Sequence, residues 1–138
     1  QKFLQQVQVP LVLDADALNL LASDSRLIDQ VPPGSILTPH PGEFKRLVGS
    51  WTHDFEKLEK LKKFSSQTQS ILVLKGAYTA IASPDGEITF NATGNPGMAT
   101  GGSGDVLTGL LTGLLAQGYS SLHAAVLGVY LHGLAGDL

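Results

Sequence analysis

A glycine-rich stretch that runs directly into a helix limits how this chain can fold more than any other feature. Eight of the sixteen glycines lie between Gly94 and Gly118, and after Asp105 the apolar residues recur at helical spacing as far as Leu115. A loop that opens a helix leaves backbone amides without partners at the positive end of the helix dipole. Glycines let a ligand approach those amides closely. The stretch therefore predicts a binding site for phosphate or another anion.

Asp105 stands out in this stretch because a carboxylate repels the anion that the loop is expected to bind. It has two interpretations. As the acidic residue at a helix start, it caps the helix. As a neighbour of a bound phosphate, it takes the proton from a hydroxyl that meets the phosphate there. The residues alone leave both interpretations open.

Strands and helices alternate along the rest of the chain. Buried strands are predicted at 9–14, 35–38 and 70–75, a hairpin at 79–90, and helices at 15–21, 43–48, 53–69, 106–117 and 120–134. Phe55 and Phe64 are assigned to the inner face of the third of these helices. The glycines of the last helix are expected to pack against the helix after the glycine-rich stretch, and His132 is interpreted as structural. This alternation predicts a three-layer αβα domain with a mostly parallel sheet.

Polar residues follow the predicted parallel strands. Asp14 and Asp16 come after the first strand, and each is either a cap of the next helix or a ligand-binding carboxylate. His40 lies between two prolines in a rigid turn after the second strand, with Glu43 three residues later. A lone loop histidine more often has no function, but this rigid placement favours one. Lys75 ends the third strand and either extends its charge to solvent or binds phosphate.

Composition narrows the class of protein. The chain has 138 residues, enough for one domain, and a formal net charge of -3, which argues against a nucleic-acid partner held by a basic face. It contains no cysteine, so it has neither a disulfide framework nor a thiolate metal site. Neither a signal peptide nor an apolar run of membrane-spanning length occurs in it, and we expect no membrane partner. A cytoplasmic enzyme fits this composition.

With these residues laid out, the chain resembles the NAD(P)H-hydrate dehydratases, a branch of the ribokinase-like superfamily. The segments that carry the resemblance are LDADALNLL at 13–21, LTPHPGEF at 37–44, VLKGA at 73–77, the stretch 91–111 and LGVYLHG at 127–133. They follow the family order along nearly the whole chain, and the glycine-rich segment is the most specific of them. The N-terminal part of the family fold, with its own glycine loop, has no counterpart here. We therefore expect residues 1–138 to be the C-terminal portion of one such domain.

The resemblance implies an activity. Members of this family dehydrate the S epimer of NADH or NADPH that has been hydrated at the nicotinamide, with ADP or ATP as co-substrate and Mg²⁺ as cofactor. The implied chemistry is phosphorylation of the C6 hydroxyl followed by elimination of phosphate. A homo-oligomer is expected, and in many bacterial members an epimerase domain precedes this one. The sequence decides neither between ADP and ATP nor on a fused epimerase domain.

The resemblance also implies the residues of the site. Asp105 is the base that accepts the hydroxyl proton, and together with His40 it contacts the hydrate. The amides of Gly102, Ser103 and Gly104 hold the transferring phosphoryl group. Glu43 binds the metal through water. The residues expected to line the nucleotide are Lys75, Gly76, Ala77, Tyr78, Thr79, Asn95 and Gly104.

Two other functions compete with this one. A small-molecule kinase of the same superfamily, acting on a vitamin precursor or a sugar, needs the same anion site and base, so Asp105 does not separate the two. The turn from His40 to Glu43 and the segment 95–98 favour the dehydratase. A non-catalytic nucleotide-binding module is the second alternative. The intact Asp105, Lys75 and glycine loop argue against it.

Overall fold

The computed structural model describes residues 2–138, and its helices and strands alternate as the sequence predicts. Residue 1, the first of the predicted domain portion, lies outside the described residues. The helices are α1 Lys2–Gln6, α2 Asp16–Ser23, α3 Pro41–Val48, α4 Asp54–Thr68, α5 Ser103–Ala116 and α6 Ser121–Asp137, and the strands are β1 Val12–Leu13, β2 Ile36–Leu37, β3 Ile71–Leu74, β4 Thr79–Ala82 and β5 Ile88–Asn91. Short 3-10 helices span Ser25–Gln30 and Pro96–Met98.

Within residues 2–138 the strands form one sheet in the order β1-β2-β3-β4-β5. The pairs β1–β2 and β2–β3 are parallel, whereas β4 is antiparallel to both β3 and β5. Four of the five described strands therefore run in the same direction. The predicted mostly parallel sheet is confirmed, and the predicted hairpin supplies the single reversed strand.

Helices cover both faces of the sheet, which confirms the three-layer αβα architecture. Because side chains alternate along a strand, Leu72 and Leu74 face the layer of α2, α3 and α4, where they meet Phe44. Ile71 and Val73 face the opposite layer of α5 and α6. All four side chains of β3 are buried, as a strand covered on both faces requires.

Helix α4 corrects one detail of the sequence analysis. Phe55 was assigned to its inner face, but this side chain is 80% exposed, whereas Phe64 is buried. Nine residues separate them, about two and a half turns at 3.6 residues per turn, so they lie on opposite sides of the helix. The side chain of His53 caps the first turn by accepting a hydrogen bond from the Glu56 amide.

The glycines of α6 make two kinds of close contact. At Gly128 a Cβ would lie 2.6 Å from Leu111 Cδ2, so this glycine lets α6 pack against α5 as predicted. At Gly133 and Gly136 a Cβ would lie 2.2 Å from Thr93 Oγ1 and 2.3 Å from Met98 Sδ. These two glycines therefore accommodate the glycine-rich loop rather than α5. Over residues 2–138 we find no helix with the length and apolar character needed to span a membrane.

Candidate active site

Asp14 and Lys75 form an ion pair at the edge of the sheet where β1 and β3 end. Lys75 Nζ lies 2.8 Å from Asp14 Oδ1, and the Thr108 hydroxyl of α5 donates to Asp14 Oδ2 at 3.2 Å. The Lys75 side chain is 25% exposed and the Asp14 side chain is 11% exposed. Parallel strands end at the same edge of a sheet, which is where α/β proteins place their ligand sites. The pair therefore lies where a ligand is expected.

The environment of Asp14 keeps its carboxylate ionised. Burial by itself would raise the pKa of Asp14, but the hydrogen bond and the positive charge of Lys75 lower it. The backbone amide of Ala15 and the hydroxyl of Thr38 lower it further. The net result is a pKa of Asp14 below its ordinary value, so this carboxylate is charged at neutral pH.

The first turn of α5 approaches this ion pair at Gly104. A Cβ at this position would lie 3.3 Å from Asp14 Oδ2 and 3.6 Å from Lys75 Nζ. The helix follows Gly102, whose φ of 92° favours glycine, and it has no side-chain cap. The Ser103 amide donates to the Thr100 carbonyl at 3.3 Å, whereas the amides of Gly102, Gly104 and Asp105 have no acceptor within residues 2–138. Of the three amides predicted to hold an anion, those of Gly102 and Gly104 are therefore free, and the Asp105 amide is a further free donor.

A cleft of about 600 Å³ opens above this turn. It brings together the predicted residues His40, Lys75, Gly76, Ala77, Thr79, Asn95, Ser103 and Gly104. Four predicted residues are not among those that line it, namely Glu43, Tyr78, Gly102 and Asp105. Residues that the sequence analysis did not assign also line the cleft, including Asn91, Thr93, Met98, Val129, His132 and Gly133.

His40 is the N-cap of α3, and it faces the cleft from the turn after β2. Its Nδ1 accepts hydrogen bonds from the Gly42 and Glu43 amides at 3.0 and 3.3 Å. Glu43 Oε2 accepts in return from the His40 amide at 2.8 Å, which completes a capping box. Glu43 Oε1 lies 3.4 Å from His40 Nε2, so both carboxylate oxygens contact His40. Glu43 therefore fixes the histidine ring, which remains half exposed.

The turn after β3 forms one side of the cleft. The Lys75 amide donates to the Pro39 carbonyl at 2.9 Å, which ties this turn to the turn that carries His40. The Thr79 hydroxyl donates to the Gly76 carbonyl at 3.2 Å and closes the turn. Tyr78 at its tip is 72% exposed.

Asn95 holds the glycine-rich loop to the end of α6. Its Nδ2 donates to the Gly136 carbonyl and, at 3.1 Å, to Asp137 Oδ1. Its Oδ1 accepts from the Gly97 amide at 2.9 Å, and the neighbouring Gly94 amide donates to Asp137 Oδ2 at 2.8 Å. The Asn95 side chain is thus engaged at both ends in fixing the loop.

His132 is a cleft residue that the sequence analysis interpreted as structural. Its Nε2 lies 3.4 Å from Ser103 Oγ in the first turn of α5. Val129, His132, Gly133 and Gly136 recur at helical spacing on α6, and this stripe faces the loop and the cleft. The spacing was visible in the sequence, but its partner was assigned as α5 alone.

Asp105 lies one residue beyond Gly104 in the first turn of α5. Its side chain is exposed and makes no hydrogen bond or ion pair with the described residues. The cap of α5 is Gly102, so Asp105 does not serve as its N-cap. An exposed carboxylate beside two free amides is available to accept a proton from a ligand.

The described side chains do not provide a metal site of their own. Residues 2–138 contain no group of three or more His, Asp or Glu side chains that could hold a metal ion. Of the nearest carboxylates, Glu43 is engaged by His40 and Asp14 by Lys75.

A family model described as NAD(P)H-hydrate dehydratase matches residues 1–138. The bifunctional NAD(P)H-hydrate repair enzyme Nnr of Moorella thermoacetica is 52% identical over an alignment of 139 positions, which covers 99% of this chain and 26% of that protein. The ADP/ATP-dependent NAD(P)H-hydrate dehydratase of Bacillus subtilis, co-crystallised with ATP/Mg²⁺, superposes with a TM-score of 0.79 at 40% identity, covering 94% of this chain and 46% of that one. A ribokinase-like superfamily protein of Enterococcus faecalis gives a TM-score of 0.82 at 33% identity, covering 99% and 49%.

Proposed function

This chain belongs to the NAD(P)H-hydrate dehydratase family, and from that premise we propose that it carries the phosphoryl-transfer site of an enzyme that dehydrates the S epimer of hydrated NADH or NADPH. The chain spans less than half the length of the relatives compared with it. We therefore assign it the C-terminal portion of one dehydratase domain. The observation that carries the proposal is the free amide of Gly104 at the start of α5, at a residue whose Cβ position would lie 3.6 Å from Lys75 Nζ.

The nucleotide lies along the cleft between β3 and α5. Its terminal phosphates meet the Lys75 ammonium and the free amides of the first turn of α5, because both favour negative charge. The turn from Gly76 to Thr79 contacts the rest of the nucleotide. The relative from Bacillus subtilis was co-crystallised with ATP/Mg²⁺, which supports an adenine nucleotide as co-substrate.

The hydrate meets the terminal phosphate at Asp105 and His40. Asp105 takes the proton of the C6 hydroxyl while the hydroxyl oxygen attacks the terminal phosphorus of ADP or ATP. The bond to the bridging oxygen breaks, and AMP or ADP leaves with the electron pair. The C6–O bond of the phosphate ester then breaks as the N1 lone pair assists departure of phosphate. Loss of a proton from C5 restores the C5–C6 double bond of NADH or NADPH.

His40 binds the hydrate from the opposite side of the cleft. Its half-exposed ring is held by the hydrogen bonds that two backbone amides donate to Nδ1 and by Glu43, so it presents a fixed imidazole to the ligand. The Glu43 role in binding metal through water stays a prediction, as does Mg²⁺ itself. The described side chains do not fit a protein-held ion, and we assign no step to it.

The remaining partners follow from the family. The N-terminal portion of the domain supplies the rest of the hydrate pocket, and the bifunctional relative supports a further fused domain, which would be the epimerase. Exposed apolar side chains on α6, including Tyr130, Leu131 and Leu134, support a homo-oligomer. We place the enzyme in the cytoplasm.

The test is an absorbance assay on the longest natural protein that contains these residues. Hydrated NADH is supplied with ADP or ATP, and recovery of the reduced-nicotinamide absorbance band is followed together with nucleotide consumption. We expect recovery of the band with one nucleotide consumed per NADH. Nucleotide consumed on another alcohol, with no recovery of the band, would identify a small-molecule kinase. Binding of nucleotide without either reaction would identify a non-catalytic module.

A further inference from the structure

The Asp14 carboxylate does not cap the helix that follows it, although its position in the sequence favours that role. An aspartate just before a helix commonly caps it, yet the N-cap of α2 is Ala15, and α2 has no side-chain cap. Ala15 has φ 50° and ψ -119°, and a positive φ of this kind is a strained backbone conformation for a residue other than glycine. The chain thus accepts an uncapped helix and a strained residue next to Asp14. Its carboxylate contacts Lys75 and Thr108 instead.

The partners of that carboxylate come from distant parts of the chain. Lys75 is 61 residues away and follows β3, and Thr108 is 94 residues away on α5. Strand β2 lies between β1 and β3 in the sheet, so the ion pair spans the end of β2. One carboxylate therefore fixes an ammonium to the helix whose N-terminus is the anion site.

Geometry limits what this ammonium can do. Lysine has a flexible four-carbon stem and three N–H donors. One donor is engaged by Asp14 Oδ1 at 2.8 Å, which leaves two for phosphate oxygens. A Cβ at Gly104 would make a tight contact of 3.3 Å with Asp14 Oδ2, and the Thr108 hydroxyl donates to the same oxygen at 3.2 Å.

We infer that Asp14 is a positioning residue for Lys75, which it holds at the N-terminus of α5 so that two ammonium donors face the phosphoryl group being transferred. This inference rests on the proposed nucleotide site. The carboxylate does not contact the nucleotide, since its charge would repel phosphate. Its contribution is to turnover through Lys75. Misplacing a group by about 1 Å can lower a rate about 100-fold, so we expect the loss of Asp14 to lower kcat rather than to change nucleotide affinity.

The experiment is a double-mutant cycle in the longest natural protein that contains the chain. The variants are Asp14→Asn, Lys75→Met and the two together, with Asp16→Asn as the control because Asp16 is an exposed carboxylate only two residues away. We measure kcat and the nucleotide KM for recovery of reduced nicotinamide. Asp14→Asn is expected to lower kcat about 10- to 100-fold and to change the KM for ADP less than about threefold. Asp16→Asn keeps the wild-type values.

The decisive comparison is made in the Lys75→Met background. There Asp14→Asn is expected to lower kcat no further, because it acts through Lys75. An undiminished loss in that background, or an unchanged kcat for Asp14→Asn alone, would overturn the inference while the proposed function stands. A wild-type protein that binds neither ADP nor ATP, and that restores the absorbance band with neither, would overturn both.

Thr108→Val keeps the inference testable where Asp14→Asn does not fold. This variant removes the hydrogen bond to Asp14 Oδ2 and preserves the shape of the side chain. We expect a loss in kcat of about 2- to 10-fold, since a single neutral-to-charged hydrogen bond is removed. The loss is expected to disappear in the Lys75→Met background. A loss of the same size in both backgrounds would overturn the inference.

Discussion

The two sides of the cleft are built in different ways. The strand side comprises Lys75 and the turn through Thr79, and it is fixed by parallel strands and by the partly buried ion pair of Lys75 with Asp14. The loop side comprises residues 91–102, which are largely exposed and are held by α6 through Asn95, Gly133 and Gly136. The strand side contributes a charged group, whereas the loop side is positioned by close backbone contacts with α6. Loss of a residue should therefore affect binding or turnover on the first side and loop placement on the second.

The largest effect is expected at Asp105, which belongs to neither side. Asp105→Asn keeps the size and polarity of the side chain but removes the proton acceptor, so kcat is expected to fall about 10²–10⁴-fold. Nucleotide affinity is expected to change little, because neither side of the cleft is altered. Steady-state kinetics and ADP titration calorimetry on the same preparation check this. Near-normal turnover would remove the base assignment.

On the strand side, Lys75→Ala is expected to weaken nucleotide binding by about 10- to 100-fold. The physical reason is the loss of charge-assisted hydrogen bonds from the Lys75 ammonium to phosphate oxygens, of which one alone contributes about 1.5–3 kcal/mol. Hydrate affinity, measured separately by competition, is expected to stay within about twofold. If hydrate affinity fell instead, the nucleotide and hydrate pockets would have to be exchanged.

On the loop side, Gly133→Ala is expected to lower the free energy of unfolding by about 1–3 kcal/mol and to displace the loop. The new Cβ would lie 2.7 and 2.8 Å from the Thr93 carbonyl carbon and oxygen, which are backbone atoms and cannot rotate away. The matched control is Gly113→Ala in α5, where a Cβ meets nothing within 4 Å. That control is expected to gain up to about 1 kcal/mol from helix propensity. Chemical denaturation of the two variants makes the comparison, and equal effects would show that the loop does not depend on α6.

The smallest effect concerns acid stability. Because the pKa of Asp14 is lowered in the folded protein, the ion pair adds stability that is fully present above the unfolded pKa, near 3.9. This stability is lost as the pH falls through the lowered, folded value. The difference in unfolding free energy between wild type and Asp14→Asn is therefore expected to shrink from pH 6 towards pH 3. A difference that stays constant with pH would mean that Asp14 stabilises the fold by its packing rather than by its charge.

Most of the strand side could be predicted from sequence. A run such as 71–74 is apolar on both faces, and polar residues that follow parallel strands reach one edge of the sheet whatever the helices do. His40 and Lys75 were found in this way, and the structure brings both to the cleft. Their assigned roles stay predictions. What local pattern left open was whether Asp14 caps α2 or faces a ligand, because that depends on a lysine 61 residues away.

The loop side was harder to predict because its placement depends on contacts between distant segments. Asn95 was assigned to the nucleotide, and the structure engages its side chain with Gly97 and with the end of α6 instead, which leaves its nucleotide role untested. The glycine stripe of α6 was visible, but a stripe shows only that something packs closely. Only Gly128 faces α5, whereas Gly133 and Gly136 face the loop. The assignment of Phe55 to the inner face of α4 was wrong for a simpler reason, because it considered the hydrophobicity of the side chain and not its angular position around the helix.

The contacts of α6 also have a consequence for motion. One helix contacts α5 at Gly128 and the loop at Gly133, Gly136 and Asp137. Widening of the cleft by the loop alone would break the hydrogen bonds that Gly94 and Asn95 make with Gly136 and Asp137. We therefore expect the loop and residues 133–137 of α6 to open together, with backbone amides that exchange with solvent deuterium at a common rate. Opening of this cleft then depends on α6 as well as on the glycines at its rim.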